Sequence, residues 1–243
     1  KNWVSGARHV LRLVDGSLGQ VPQRTDGAQT LDSPGGFTVA SENPVYIWGD
    51  YNTNAADAAS WATDTTAFQG DTAGHAAASV IADAVTLLSV DWNDSYSMGA
   101  SFPSGGSVHV TDLNNRNPSH DGYFRVAIAG GKNINFPRPT YSTPAAPGQD
   151  FGTDGGAHNF LRYLETWSGQ TMHYKGSLVS LYYSTYATGA FKCCNVVYGV
   201  PTRAYFFDMD FSASGGLPPG TPMFRDVEAL SYRQLFASRT AGQ

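Results

Sequence analysis

With 243 residues, a mass of 26.0 kDa and an apolar fraction of 41%, the chain has enough material for one large all-β domain or two smaller ones, with a real core. Only 14% of its residues are charged, against roughly 25% in ordinary domains, while Gly (27), Tyr (13), Phe (13) and Pro (13) are plentiful. A net charge of −5 with no basic run weighs against nucleic acid as a partner, and no apolar stretch approaches the roughly 20 residues of a membrane helix. Such a mixture favours strands joined by many turns, on a surface made polar by Ser, Thr, Asn and Gly, as in exported, extracellular or cell-surface proteins.

Taken in order, His9 to Leu18 alternates, with Val10, Arg12 and Val14 opposite Leu11 and Leu13, and reads as a strand ending at the turn Asp15-Gly16. After a polar loop, Gly35 to Asn52 holds two alternating runs: Phe37 and Val39 share one face of the first, Val45 and Ile47 one face of the second. Asn43-Pro44 separates them, because a residue before proline is pushed out of helical geometry. Tyr46 and Trp48 load the other face of the second run, which is therefore expected to be covered on both sides.

Asp50, Asn52, Asn54 and Asp57 then recur at spacings reminiscent of a calcium loop. Such a loop wants Gly at its sixth position and Glu at its twelfth, where this chain has Ala55 and Trp61. Turn capping by Asp and Asn is the stronger reading, and calcium remains the one candidate cofactor. From Ala76 to Trp92 both a helical stripe and a strand are possible; β-branched content tips the choice to a strand over Ser79 to Leu88. Phe124 to Gly131 gives another short buried strand. Phe160, Leu161, Leu164 and Trp167 fall at helical spacing, with Asp154 to help the start and Gly169 the end, and predict one flanking helix. Met172 to Tyr186 alternates again, and Ala204 to Phe211 is the last strand.

Buried strands separated by long excursions suit an irregular right-handed parallel β-helix with long loops, and a β-sandwich is the alternative. No repeat of fixed length decides between them. The whole chain, residues 1–243, reads as a single domain.

The two cysteines, Cys193 and Cys194, are adjacent. Neighbouring Cα atoms stand about 3.8 Å apart, short of the usual disulfide span, so a strained vicinal disulfide, links to another chain and free thiols compete; the first is preferred in a secreted-type composition. No catalytic constellation emerges: the six histidines are scattered, and there is no nucleophile elbow, phosphate loop or dinucleotide fingerprint. Asp208 and Asp210, two apart on a predicted strand, would face one side, as the paired carboxylates of a polysaccharide hydrolase or lyase do. An exposed acidic face is the stronger reading. On the predicted helix His158 and Glu165 share a face, and Arg162 can pair with Glu165. Trp167, Tyr182, Tyr183, Tyr186, Tyr198 and Tyr205 suit a subunit interface or, less well, a glycan-binding groove.

Several phrases in order, FTVASENPVYIWGDYN, SVIADAVTLLSVDWND, DGGAHNFLRYLETW, YKGSLVSLYYSTYATGAFKCC, VYGVPTRAYFFDMDF and LPPGTPMFRDV, resemble the C-terminal region of bacterial PilX-like type IV pilus assembly (pilin-like) proteins. The resemblance covers roughly residues 9 to 236. It implies a cell-envelope or extracellular protein associated with a type IV pilus or a related secretion apparatus. With no catalytic set, low charge and abundant Tyr, the chain reads as a non-enzymatic structural component of such an assembly, its partners other subunits, homo- or hetero-oligomeric. The hydrophobic N-terminal helix of pilin-like proteins is not matched by any residue here. The alternatives are a glycan-binding adhesin, with or without calcium, and a β-helix polysaccharide lyase or hydrolase.

Overall fold

The computed structural model describes residues 9–23, 35–63, 74–94, 116–132, 161–180, 182–188 and 198–222. Among them are nine strands: β1 (Leu11–Leu13), β2 (Gly36–Ser41), β3 (Val45–Trp48), β4 (Ala77–Ala82), β5 (Val85–Leu88), β6 (Gly122–Gly130), β7 (Leu161–Tyr163), β8 (Thr171–Val179) and β9 (Thr202–Phe207). They form two wholly parallel sheets, one in the order β1-β3-β5-β7 and the other β2-β4-β6-β8-β9. Among the described residues the helical elements are one turn, α1 (Ala55–Ala58), and short 3-10 segments from Met209 onward. The fold is mainly β, as the composition implies.

The chain passes back and forth between the sheets through tight corners. Glu42, Asn43 and Pro44 turn β2 into β3, and Asp83-Ala84 turns β4 into β5. The expected single strand over Ser79 to Leu88 is thus two strands in two sheets, because Asp83 breaks it. Corners stack on one another: Gly131 N–H donates to the Asp83 carbonyl at 3.1 Å, and the Ser184 hydroxyl donates to the same oxygen at 2.7 Å. A Cβ at Gly131 would lie 2.3 Å from that carbonyl, so only glycine fits there.

Parallel register lines equivalent side chains up in rows. In the five-stranded sheet Val39, Val80, Ile128 and Leu178 follow one another across β2, β4, β6 and β8. In the other sheet Val45, Val85 and Leu161 do so, as do Ile47, Leu87 and Tyr163. Both sets of rows join one core cluster in which Val45, Ile47, Val80, Val85, Leu87 and Phe124 are completely buried. Each such side chain contributes roughly 1.5–3 kcal/mol by leaving water.

The predicted flanking helix is corrected. Leu161 to Tyr163 is strand β7, pairing with β5, and Thr166 bridges to Gly199; the predicted start at Asp154 lies outside the described residues. Leu161, Tyr163, Glu165 and Trp167 are all buried at a period of two. A ready parallel neighbour with the right register overrides a helical spacing that was satisfied only by coincidence.

Candidate functional site

The outer face of the five-stranded sheet carries the most concentrated chemistry. Arg125, Lys175 and Phe206 are register partners on β6, β8 and β9 and point away from the core. Even so, Arg125 is only 5% and Lys175 only 2% exposed. The cover comes partly from the segment after β9. β9 stops at Phe207; Asp208 then caps the 3-10 turn Met209–Ser212 by accepting Asp210 N–H. From there the chain doubles back over the sheet as a strap, reaching β2, where Thr38 donates its hydroxyl to the Pro219 carbonyl at 2.6 Å. On the other side α1 and its following turn bring Trp61 edge-on to Phe206, with ring centroids 6.4 Å apart.

Beneath the strap, Arg125 donates through Nε and Nη2 to both Asp208 oxygens, at 2.9 and 3.2 Å, and through Nη2 to Asp210 Oδ2 at 2.6 Å. Its Nη1 donates to His75 Nδ1 at 3.0 Å, which leaves His75 Nε2 to carry the proton toward Asp210 Oδ2 at 3.1 Å. Asp57 adds a third carboxylate 3.8 Å from Nη1. Burial lowers the Arg125 pKa, but the charge and hydrogen bonds of Asp208, with Asp210 and Asp57, outweigh it and raise it. For Asp210 burial acts upward, and the His75 hydrogen bond with the positive charges of Arg125 and Lys175 holds the group below its usual range. The cavity enclosed by His75, Arg125, Asp208, Asp210 and the strap measures about 10 Å³, room for about one water. This cluster pins the strap and has no space for a sugar.

That geometry corrects the reading of Asp208 and Asp210 as an exposed acidic face or a catalytic pair on a strand. Both bind Arg125, one from the end of β9 and one from the turn beyond it. The arginine, His75 and Lys175 were not singled out from the sequence. Their one signal was a cation in the middle of the apolar run FRVAIAGG.

The calcium-loop residues also separate. Asn52 sits at φ 59° and is fully committed to backbone: its Nδ2 donates to the Ala76 and Arg125 carbonyls at 2.6 and 2.9 Å, and its Oδ1 accepts Ala76 N–H at 2.7 Å. Asn54 caps α1 by accepting Asp57 N–H, and Asp57 accepts the Thr53 hydroxyl at 2.8 Å. Asp50 faces the other way, accepting Tyr123 N–H at 3.2 Å; burial pushes its carboxyl up, against the pull of that hydrogen bond and of His120. Among the described residues no group of three His, Cys, Asp or Glu is placed to hold a metal ion.

The six aromatics divide as well. Trp167 and Tyr198 are core residues, 0% and 1% exposed, and Tyr205 is packed on that core with its hydroxyl 2.8 Å from that of Tyr163. Burial removes Trp167 and Tyr198 from a surface contact, while Tyr205 is half-buried. Tyr182, Tyr183 and Tyr186 are exposed, at 40%, 62% and 42%. The loop at Tyr186 is held by Asp83, whose carboxylate accepts the backbone N–H groups of Thr185, Tyr186 (3.1 Å) and Ala187 (2.8 Å).

Glu165 lies in the interior and accepts Ser89 N–H at 2.7 Å and the Ser89 hydroxyl at 2.5 Å; burial pushes it up to about 7 against those two bonds. Arg162 donates to the Ser184 hydroxyl at 3.1 Å. On the surface His120 Nδ1 lies 3.0 Å from Asp91 and 3.2 Å from the Ser119 hydroxyl. Serine and aspartate meet the same ring nitrogen, whereas a nucleophilic relay needs one on each. His158, Cys193 and Cys194 fall outside the described residues.

A second concavity is an open groove of about 570 Å³ lined by Val14, Asp15, Ser17, Trp48, Gly49, Asp50 and Val90. Comparison with family models, with curated proteins and with solved structures finds no match.

Proposed function

We propose that this chain is a non-enzymatic structural component of an extracellular pilus-like assembly, its two sheets being faces of an irregular right-handed parallel β-helix. Alternation of the chain between parallel sheets, through stacked corners at Asp83, Gly131 and Ser184, supports the helical reading, and parallel crossovers are right-handed in almost all proteins.

One observation carries the function. Ala40, Ile81, Ala129 and Val179 form a single register row across β2, β4, β6 and β8 on the outer face. Ile81 and Val179 are 42% and 36% exposed, and the row runs into Tyr182, Tyr183 and Tyr186. The strap covers the row of Arg125 and Lys175 and meets Thr38, while this row stays bare. An uncharged, aromatic-edged face on a rigid sheet is the composition of an interface centre, and its occupant is a neighbouring subunit. Tyr182 and the loop at Tyr186 are held in place before contact. The Tyr182 hydroxyl sits 2.7 Å from the Ala82 carbonyl and 3.0 Å from that of Ala129, and Asp83 fixes the loop, so little order is lost on association.

Sedimentation equilibrium from about 5 µM to about 500 µM tests the reading. Self-association that disappears in Tyr183→Glu, Val179→Lys with unchanged thermal unfolding is the expected result. A strict monomer throughout that range overturns it.

A further inference from the structure

We infer that the groove beside Trp48 is a binding site for uncharged pyranose rings, a saccharide subsite on a different face from the association surface. Its volume, about 570 Å³, falls within the range of small-ligand sites, roughly 300–1,000 Å³. The floor is the side chain of Trp48, which the alternation of β3 turns away from the buried Val45 and Ile47. The indole is held in place: the Arg12 guanidinium lies over one face of the ring, 5.3 Å from its centroid, and Asp94 anchors that guanidinium with two bonds of 2.9 and 3.1 Å, so that a ligand has the other face to meet. A fixed, partly exposed indole offers a flat apolar surface to the C–H face of a sugar ring.

Polar groups stand at the rim. Asp15 is held at φ 55°, and Gly49, at φ 79°, turns the chain so that Asp50 follows Trp48 into the same groove. One Asp50 oxygen takes Tyr123 N–H, and the other remains to accept a ligand hydroxyl. Hydroxyl-to-carboxylate hydrogen bonds are charge-assisted and stronger than neutral ones. Val14 and Val90, about half exposed, supply apolar walls.

Charge selects the class of sugar. Among the described residues the lining has two carboxylates and no cation, and nearby Arg12 is paired with Asp94. A uronate or sulfated ring would meet like charge; a neutral ring meets two carboxylate acceptors and the Ser17 hydroxyl.

Calorimetric titration of the folded protein with cellotetraose, N-acetylchitotetraose and tetragalacturonate tests the site, with an oligolysine peptide as competitor. The expected result is saturable binding of at least one neutral tetrasaccharide, no binding of tetragalacturonate and no displacement by the peptide. Trp48→Ala is expected to weaken binding by about tenfold or more, and the Asp15→Asn, Asp50→Asn pair by a similar factor. Should Trp48→Ala fail to fold, the carboxamide pair carries the decision, because it keeps every side-chain volume. Binding of the uronate equal to that of the neutral sugars, displacement by oligolysine, absence of binding by both neutral probes, or neutral-sugar binding unchanged in the carboxamide pair each overturns the inference.

Discussion

Replacing Arg125 by methionine isolates the force that holds the strap down. Arg125 and Asp208 have side chains only 6% and 4% exposed, so their attraction is little screened by water. Methionine keeps most of the volume but deletes three hydrogen bonds to carboxylates and one to His75. Asp208 is then a buried anion left with the Asp210 N–H, and Asp210 loses its nearest permanent cation while keeping His75 and the more distant Lys175. Removing one partner of a buried pair typically costs about 3–5 kcal/mol, most of it the penalty for the charge left behind. Arg125→Met should therefore lower the urea-unfolding free energy by that amount, and cleavage in limited proteolysis should begin within residues 208–222. Adding Asp208→Asn should recover part of the loss, because the orphaned charge is gone. A single mutant within about 1 kcal/mol of the parent would refute the reasoning, since it would mean that water already satisfies the carboxylates.

Glu165 makes stability depend on pH in a stated direction. Its folded pKa, about 7, lies above the ordinary 4.5, so the folded state holds an extra proton between those values. The contribution is complete below about pH 4.5 and is lost as pH rises through about 7, a swing of about 3 kcal/mol. Denaturant titrations of the parent and of Glu165→Gln at both ends of that window should show the slope in the parent and its loss in the variant; a parallel pair of curves would contradict the assignment. Gly131→Ala places a Cβ against the Asp83 carbonyl and should cost about 1–3 kcal/mol by equilibrium unfolding, whereas Gly169→Ala, with open space around it but φ at 87°, should cost less. Equal losses would remove the stacked corner as the cause. Asp83→Ala strips the acceptor from three N–H groups and should cost about 1.5–3 kcal/mol. Hydrogen exchange should accelerate at residues 185–187, and self-association should weaken with it; unchanged exchange would count against the clamp.

How much was readable in the chain depends on the range of the interaction. Alternation in Gly35 to Asn52 and the bend at Asn43-Pro44 are local matters of sterics and period, and β2 and β3 follow them closely. Phe124 to Gly131 and Met172 to Tyr186 overlap β6 and β8, which start two residues and one residue earlier, and β8 stops at Val179, short of the predicted end. The stretch from Phe160 to Trp167 misled because four apolar residues satisfy two periods at once, and only the neighbour β5 selects the strand. For the candidate sites the division is similar. An outward-facing Trp48 followed by Asp50 can be read from β3 alone, yet Asp15 and Val90 join them only when separate turns stack.

The amino-acid sequence by itself determined that this is a mainly β chain with abundant turns, a sparse charge and strands whose apolar residues alternate, because those properties come from backbone sterics and side-chain period. Tertiary structure decided which carboxylates are buried with a cation, which tyrosines reach solvent and which sink into the core, and where a groove opens. Those outcomes depend on parallel register between strands tens of residues apart, and no local pattern specifies which turn lies on which.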